Sequence, residues 1–292
     1  MTQAKKASRL LELHHGASPL VLINAWDAAS AAMVEHCGLP AVATSSAALA
    51  NALGFADGQH LPWEQMLEAV ARICSVVKVP VTADVESGFA ADTNALEISI
   101  RQIIAAGAVG VNLEDVMPAN PNPKNSGPEN ADPVRHGNPL FALPEQVARI
   151  QAARRAATAQ GIHLVINART DAYWQAGVAP ADGLRNTLER GQAYLAAGAD
   201  CIFVPGLRNP EHIRTVIDHW QAPVNILAGP GVPSIPELAK LGVKRVSYGS
   251  GPHRAAMGLL RRIADEARTS GTYQALTEGA VPYEEINGLM GR

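Results

Sequence analysis

The sequence predicts an α/β fold, a (β/α)8 TIM barrel flanked by an N-terminal helix and a C-terminal helical tail. Eight short runs rich in β-branched residues recur along the 292 residues, and a helical pattern follows each run. The runs are almost continuously apolar, which is typical of a parallel sheet covered by helices. Gly107 and Gly198 are placed to end two of the helices. Eight such units in one chain favour a closed barrel.

The predicted elements alternate from the first strand onward. A single domain is expected over 1–292, with the barrel at about 18–268 and the tail at 269–292. The strands are predicted at 21–24, 41–45, 79–84, 109–114, 163–169, 201–204, 223–228 and 245–249. The helices are predicted at 4–14, 28–33, 63–77, 94–106, from 143 onward, and at 182–197, 210–219, 235–241 and 252–267. The alternative, an open doubly wound sheet, lacks the G-x-G-x-x-G of a dinucleotide site.

Composition and charge exclude several classes of partner. The chain has 24 basic and 27 acidic side chains, a net charge of -3, and no cluster of either sign. Nucleic acid and anionic membrane surfaces are therefore not expected as partners. No run of about 18 apolar residues could span a bilayer, so a cytoplasmic protein is predicted. The charged fraction of only 17%, with Ala-rich helices, favours a homo-oligomer that buries part of the outer surface.

Polar residues at the carboxyl ends of the predicted strands indicate where the chemistry lies, because these ends open into one mouth. Asp84 and Glu86 follow the third strand, and Glu114 ends the fourth. Close carboxylates repel one another unless they share a cation, and hard oxygen ligands suit Mg²⁺. A strand would place Asp84 and Glu86 on one side. The sequence therefore predicts a magnesium site, although each acid could instead cap a helix.

Two further features of the mouth have alternative interpretations. Arg169 could form a buried ion pair with Asp171, or its guanidinium could bind two oxygens of a carboxylate or phosphonate. Asp115 is expected to point away from the mouth and form a supporting salt bridge. The segment from 116 to about 141 is rich in Pro and Asn, so it is either a lid or a disordered insertion, and we favour a lid because the segment begins beside Glu114. Its candidate substrate contacts are Lys124, Asn125 and Ser126.

Six segments resemble the isocitrate lyase/phosphoenolpyruvate mutase superfamily across nearly the whole barrel. They are NAWDA at 24–28, TSSA at 44–47, GFADG at 54–58, DVESG at 84–88, NLED at 112–115 and NARTD at 167–171. The resemblance implies bound Mg²⁺, for which Mn²⁺ could substitute. It makes Asp84 the most direct ligand and places Asp57, Glu86 and Glu114 in the water shell of the ion.

The resemblance also implies roles in substrate binding and assembly. Ser45 and Ser46 would bind a small carboxylate substrate through backbone and hydroxyl groups, and Arg169 would bind its carboxylate. Trp26 and Asn225, at the ends of the first and seventh predicted strands, complete the predicted binding set. The catalytic set comprises Asp57, Lys124 and Arg169. A tetramer, built as a dimer of dimers with exchanged C-terminal helices, is expected.

The sequence departs from the best-known branches of this superfamily. Isocitrate and methylisocitrate lyases carry Lys-x-Cys-Gly-His after strand four and a glutamate after the proline that ends strand six. Here the loop has no cysteine, and Gly206 follows Pro205. Phosphoenolpyruvate mutases and phosphonopyruvate hydrolases have a Pro-Lys-x-Asn-Ser lid and a lysine after Glu-Asp. Here 123–126 is one residue short, Val116 replaces that lysine, and a histidine near the end of strand six is missing.

Three functions follow from these observations. The favoured one is a Mg²⁺-dependent lyase or decarboxylase that acts on a small 2-oxo or 2-hydroxy carboxylate or dicarboxylate through a pyruvate-like enolate. The second is phosphorus–carbon chemistry, as in a phosphonomutase or phosphonopyruvate hydrolase, with Asp57 as a nucleophile or water-orienting base. The third is a barrel that binds a 2-oxo acid without catalysis.

Overall fold

The computed structural model describes residues 1–118, 139–175 and 177–290, and within these residues nine parallel strands form one sheet. The strand order is β1-β9-β8-β7-β6-β5-β4-β3-β2. The strands are β1 (Leu20–Leu22), β2 (Asn24–Ala25), β3 (Val42–Thr44), β4 (Val81–Asp84), β5 (Gly110–Glu114), β6 (Val165–Arg169), β7 (Cys201–Phe203), β8 (Val224–Leu227) and β9 (Arg245–Ser247). The sheet curls into a nearly closed barrel, which confirms the predicted fold class.

The barrel closes through the first predicted strand, which is split in two at Ile23. Its first half, β1, pairs with β9, and its second half, β2, pairs with β3. Asn24 bridges this seam: Nδ2 donates to the Thr44 carbonyl at 2.7 Å, and Oδ1 accepts from the backbone N–H groups of Tyr248 and Gly249 at 2.8 and 2.9 Å. The split therefore joins the two ends of the sheet at the mouth of the barrel.

Helices cover the outer face of the sheet and are mostly those predicted. They are α1 (Gln3–His14), α2 (Ala28–His36), α3 (Ser46–Ala52), α4 (Trp63–Val76), α5 (Thr93–Ala105), α6 (Leu143–Ala159), α7 (Pro180–Ala196), α8 (Pro210–Trp220), α9 (Ile235–Leu241), α10 (Gly251–Thr269), α11 (Gln274–Thr277) and α12 (Tyr283–Met290). The seven-residue α3 was expected to be loop. It begins directly after β3 because the Ser45 hydroxyl accepts a hydrogen bond from the Ala48 N–H at 3.4 Å.

Helix α1 closes the amino end of the barrel. Its buried Leu10 packs with Leu20, Leu22, Val109 and Val165 from the starts of three strands. The larger core lies between the sheet and the outer helices. With its amino end filled by apolar side chains, the barrel offers its carboxyl end for a binding site. Within the described ranges, the helices are too short or too polar to cross a membrane.

Candidate functional site

A cavity of about 460 Å³ opens at the carboxyl ends of the strands. Strand ends, the loops that follow them and the start of α10 supply its walls. Among the predicted site residues that the structure describes, the ones that line this cavity are Ser45, Ser46, Asp57, Asp84 and Arg169. These side chains were predicted from separate strand ends and loops, and the barrel brings them together.

Asp84 ends β4 and is held by the first turn of α3. Its Oδ2 accepts hydrogen bonds from the backbone N–H of Ser46 at 3.0 Å and from the Ser46 hydroxyl at 2.8 Å. The other carboxylate oxygen, Oδ1, accepts no hydrogen bond from the part of the chain that the structure describes. The Ser46 donors therefore orient Asp84, and the expected binding of substrate by Ser46, which lines the cavity, stays a prediction.

Arg169 combines both interpretations that its sequence context allows. Its Nε and Nη2 donate to the two carboxylate oxygens of Asp171 at 2.6 and 2.7 Å, and its Nη1 lies 3.0 Å from Glu114 Oε2. The side chain nevertheless lines the cavity. Burial acts to lower the pKa of Arg169, but the carboxylates of Asp171 and Glu114 outweigh burial and raise that pKa well above its ordinary value. A permanent positive charge therefore faces the cavity.

Glu86 and Glu114, which were predicted with Asp84 as metal-site residues, do not line the cavity, and their role at a metal ion stays a prediction. Glu86 is buried and lies outside the set of cavity-lining residues. Its φ of 53° is left-handed, so the alternation of a strand ends at Asp84 and no longer dictates where Glu86 points. Glu114 is also buried, and its carboxylate contacts Arg169. Glu114 thus contributes to the charge balance of Arg169.

Arg149 of α6 fixes the loop that carries Glu86. Its guanidinium donates to the carbonyls of Ser87 and Ala90 and lies 4.4 Å from the ring centroid of Phe141. Backbone carbonyls in a turn with left-handed residues need such donors when they are buried. The loop beside Asp84 is therefore held in place by a side chain from a distant helix.

The donor set fits a magnesium ion that keeps much of its water. Among residues 1–118, 139–175 and 177–290, no three His, Cys, Asp or Glu side chains converge as a metal-ligand set. Mg²⁺ is commonly held by one or two carboxylates together with water and substrate oxygens. The carboxylates of Asp84 and Asp57, which both line this cavity, match that mode.

Other predicted site residues lie elsewhere. The Trp26 ring packs edge-on against His253 of α10, with ring centroids 5.2 Å apart, and Trp26 does not line the cavity. Asn225 is fully buried in β8, where its Nδ2 donates to the Ser247 hydroxyl at 3.1 Å. Neither residue lines the cavity, and the substrate-binding role of each stays a prediction. Lys124, Asn125 and Ser126 lie outside the described residues.

Asp115 points away from the mouth, as predicted, and anchors Asp171. Its carboxylate accepts from the Tyr194 hydroxyl at 2.7 Å, from Arg190 Nη1 at 3.2 Å and from the Asp171 N–H at 3.0 Å. Burial, followed by the nearby charge of Asp171, raises the pKa of the Asp115 carboxyl. This buried network connects α7 to the segment that positions Arg169.

Several cavity residues were not predicted as site residues, and three of them carry side chains that can donate hydrogen bonds to a ligand. Arg208 follows β7, Arg254 lies in the first turn of α10, and Asn112 lies on β5. Arg208 and Arg254 are exposed, and within the described chain neither forms an ion pair with a carboxylate. One sequence signal was available: a cation in the first turn of a helix opposes the helix dipole, so Arg254 is unfavourable there without an anionic partner.

Fold and site together define a TIM-barrel protein whose mouth is lined by carboxylates and several guanidinium groups. The family model for phosphoenolpyruvate phosphomutase matches residues 10–268 of the chain. The chain therefore belongs to the phosphoenolpyruvate mutase family, within the isocitrate lyase/phosphoenolpyruvate mutase superfamily of enzymes.

Similar proteins carry out more than one reaction. The chain is 37% identical to a protein of Burkholderia cenocepacia J2315 proposed to be a phosphonomutase, with a TM-score of 0.81 over 91% of this chain and 100% of that one. It is 28% identical to the 2-methylisocitrate lyase of Aeropyrum pernix over 97% of this chain and 86% of the enzyme. A phosphonopyruvate hydrolase solved with oxalate and Mg²⁺ is 25% identical, with a TM-score of 0.79 over 98% and 95% of the two chains.

Proposed function

We propose that this chain is a Mg²⁺-dependent carbon–carbon lyase or decarboxylase that acts on a small 2-oxo or 2-hydroxy dicarboxylate through a pyruvate-like enolate. One observation carries the proposal: carboxylates and guanidinium groups line the same cavity. Asp57 and Asp84 contribute the carboxylates, and Arg169, Arg208 and Arg254 contribute the cations. A site with both carboxylates and cationic side chains can hold a metal ion and an anionic substrate together.

The carboxylate side chains support the choice of Mg²⁺ as the metal. Asp84 would be the direct ligand, with Asp57, Glu86 and Glu114 acting through water, and Mn²⁺ would be a chemical substitute for Mg²⁺. When bound, Mg²⁺ supplies Lewis-acid stabilisation for negative charge that develops on a 2-oxo oxygen and its carboxylate. The relative solved with Mg²⁺ and oxalate supports the same choice.

The arginine side chains of the cavity support a substrate with two acidic groups. Arg169 is already balanced by Asp171 and Glu114, so it can orient one carboxylate without adding a large net charge to the cavity. Arg208 and Arg254 form no carboxylate ion pair within the described chain, so they are available to a second anionic group. A monocarboxylate would leave these two guanidinium groups without a partner in the complex.

The proposed reaction does not need a dedicated side-chain acid, because water can supply the proton. For a 2-hydroxy acid, the 2-hydroxyl would give its proton to a carboxylate of the cavity, and the electron pair of the broken C2–C3 bond would go to the departing carboxylate fragment. A proton would then complete that fragment while pyruvate leaves as the ketone. For a 2-oxo dicarboxylate, cleavage of the C3–C4 bond releases CO₂ and leaves the electron pair on the pyruvate fragment as an enolate, which takes a proton from water to give pyruvate. Arg169 holds the carboxylate of the pyruvate fragment, because its charge is maintained by Asp171 and Glu114 throughout. The absence of a cysteine from 116–141 is compatible with a leaving fragment that needs no thiol acid.

Gly206 supports a substrate other than 2-methylisocitrate. Its φ is 76°, and an added Cβ would lie 2.9 Å from the ring of Trp174. The glutamate that methylisocitrate lyases carry after the proline would therefore be strained here and would meet an indole. Trp174 instead forms part of the cavity wall at this point.

Phosphorus–carbon bond chemistry is the second candidate. It is favoured by the family match to phosphoenolpyruvate phosphomutase and by the 37% identity to the Burkholderia cenocepacia protein. A phosphonate is also an anion that Arg208 and Arg254 could bind. The two candidates share the metal and carboxylate sites and differ in the bond that breaks.

A panel assay with Mg²⁺ separates the candidates. Pyruvate release would be followed from oxaloacetate and from substituted malates, and phosphorus NMR would follow phosphonopyruvate. We expect pyruvate from at least one dicarboxylate and no change in phosphonopyruvate. Conversion of phosphonopyruvate alone would favour the second candidate. Binding of these acids with no product after long incubation would contradict both and favour a barrel that binds without catalysis.

A further inference from the structure

We propose that Asn112 is a substrate-binding hydrogen-bond donor on the floor of the cavity, and that Arg245 is the positioning residue that orients it. The inference rests on the proposed function, because it concerns the same cavity. Asn112 lines the cavity beside Asp84, its register partner on the neighbouring strand β4. Arg245 lies on β9, inside the barrel, and is completely buried.

Arg245 is a buried cation that the proposed reaction leaves unexplained. Its Nη2 donates to Asn112 Oδ1 at 3.0 Å, and its Nη1 lies 3.3 Å from His14 Nε2. In the chain as described, it has no carboxylate partner. Burial lowers the pKa of Arg245 to about 10, so the side chain stays charged near neutral pH. Burying such a charge in a protein interior costs free energy unless the N–H groups of the guanidinium form hydrogen bonds.

His14 of α1 receives one of those donors. His14 Nδ1 lies 2.7 Å from the Leu10 carbonyl, which can only accept, so Nδ1 carries the proton. Nε2 is then left as an acceptor for Arg245 Nη1. Burial, followed by the charge of Arg245, lowers the pKa of His14 to about 4, which keeps the imidazole neutral. The helix that closes the amino end of the barrel thus fixes the guanidinium.

The guanidinium in turn fixes the amide of Asn112. Asn112 Oδ1 accepts from Arg245 Nη2 and from Asn167 Nδ2, the latter at 2.7 Å. A flipped amide would place its NH₂ group against a guanidinium that has no acceptor. The NH₂ group of Asn112 is therefore the end left for the cavity, and within the described residues it donates no hydrogen bond.

This arrangement selects the substrate atom that Asn112 can recognise. A neutral NH₂ donor beside Asp84 favours an acceptor, such as a carbonyl or carboxylate oxygen, over an ammonium or hydroxyl donor. The buried charge of Arg245 polarises the amide and strengthens its donor, because the local dielectric constant is low. Asn112 would thus donate a hydrogen bond to a substrate oxygen directly beside the proposed metal site.

The experiment measures oxalate binding by isothermal titration calorimetry in the presence of Mg²⁺. The full-length variants are Asn112→Leu, which removes the donor at similar size, Arg245→Met, Arg245→Lys, and the Asn112→Leu/Arg245→Met double variant. Thermal unfolding of each variant reports whether it is folded. We expect Asn112→Leu to weaken oxalate binding by roughly tenfold or more, as for the loss of a hydrogen bond to a charged group.

The Arg245 variants test whether Arg245 acts through Asn112. We expect Arg245→Met to weaken binding by a smaller factor, Arg245→Lys to restore it, and the double variant to bind as Asn112→Leu does. Wild-type affinity in folded Asn112→Leu would overturn the proposal, as would a double variant much weaker than Asn112→Leu. Failure of the wild type to bind oxalate with Mg²⁺ would instead contradict the proposed function itself.

Discussion

At the scale of single residues, the contact between Ser46 and Asp84 decides what the cavity can do. Two Ser46 donors bind one carboxylate oxygen at 3.0 and 2.8 Å, which orients a side chain that lines the cavity. Ser46 belongs to the first turn of α3, so the helix N-terminus also favours the negative charge. The Asp84 carboxylate is therefore oriented by the protein itself, which suits the metal-ligand role proposed for it.

Replacing Asp84 with Ala should abolish turnover of whichever panel acid the wild type converts. The variant loses the proposed direct ligand and leaves the Ser46 donors without their acceptor. Steady-state rates at several Mg²⁺ concentrations measure the effect. Asp218→Ala, an exposed acid of α8 that pairs only with exposed Arg214, is the matched control. An Asp84→Ala protein with the wild-type rate and Mg²⁺ dependence would exclude Asp84 as the metal ligand.

His14 predicts how stability depends on pH. The folded-state pKa is about 4 against an ordinary 6.5, so between these values the unfolded chain binds more protons than the folded one. The free energy of unfolding should therefore fall as pH drops from about 6.5 to about 4, by at most about 3 kcal/mol from this residue. Urea unfolding at several pH values measures it. His14→Gln should flatten the slope, whereas His15→Gln, at the exposed neighbour, should not.

Residue identities in the mouth were predictable where the strand alternation holds. Asp84 and Arg169 end predicted strands, and both line the cavity. Glu86 could not be placed, because its left-handed φ of 53° is a property of the loop and not of the sequence pattern. The ion pair between Glu114 and Arg169 depends on the register of β5 and β6, which aligns these two residues. The pairing register of two strands that are distant in sequence cannot be predicted from the residues of either strand alone.

At the scale of elements, close packing of α7 on α8 depends on a glycine. An added Cβ at Gly191 would lie 2.1 Å from the ring of Trp220, whose indole N–H donates to the Leu188 carbonyl at 3.1 Å. The ring is rigid and held, so it cannot move aside cheaply. The two helices therefore approach each other at a point where any side chain on α7 would overpack the interface.

Gly191→Ala should lower the free energy of unfolding by about 1–3 kcal/mol, despite the better helix propensity of Ala. Urea denaturation measures the change. Gly258→Ala is the control, because Gly258 lies in helix α10 with nothing within 4 Å of an added Cβ. That variant should be neutral or stabilised by up to about 1 kcal/mol. Equal stability of the two variants would contradict the packing of Trp220 against Gly191.

Element positions followed from periodicity except where elements are very short. The β-branched runs and helical patterns predicted the order of strands and major helices. Helix α3 has seven residues and consists mainly of Ala, so it offers no amphipathic pattern to detect. The break at Ile23 splits a predicted strand because its two halves pair with different neighbours, β9 and β3. Both features depend on tertiary contacts.

At the scale of the whole molecule, α10 leaves a large apolar surface uncovered. Among its 19 residues only His253 is buried, and Met257, Leu259 and Leu260 are exposed. Tyr273, Leu276 and Tyr283 of the following tail are exposed as well. Several large apolar side chains exposed on one helix and the tail that follows it favour an interface with another chain. It supports the expected homo-oligomer, for which the resemblance implies a dimer of dimers.

The expected assembly can be tested by size-exclusion chromatography with light scattering. We predict a mass near that of four 30.7 kDa chains. Leu260→Glu should shift the mass toward smaller species, because it places a charge on the exposed apolar face of α10. Arg268→Glu, a charge change at a residue paired only with exposed Asp265, is the control. A monomeric wild type would contradict the predicted assembly.

The proposed function requires the cavity to hold a metal ion and an anionic substrate at the same time. Measuring oxalate binding with and without Mg²⁺ tests this requirement most directly. Oxalate resembles the enolate of pyruvate in charge and in the spacing of its oxygens, and Arg169 and Asp84 line the cavity it would enter. Calorimetry on the wild-type chain should show binding with Mg²⁺ and at least roughly tenfold weaker binding with a chelator in its place. Equal affinity under both conditions, or no binding under either, would contradict a metal-dependent site for a carboxylate substrate.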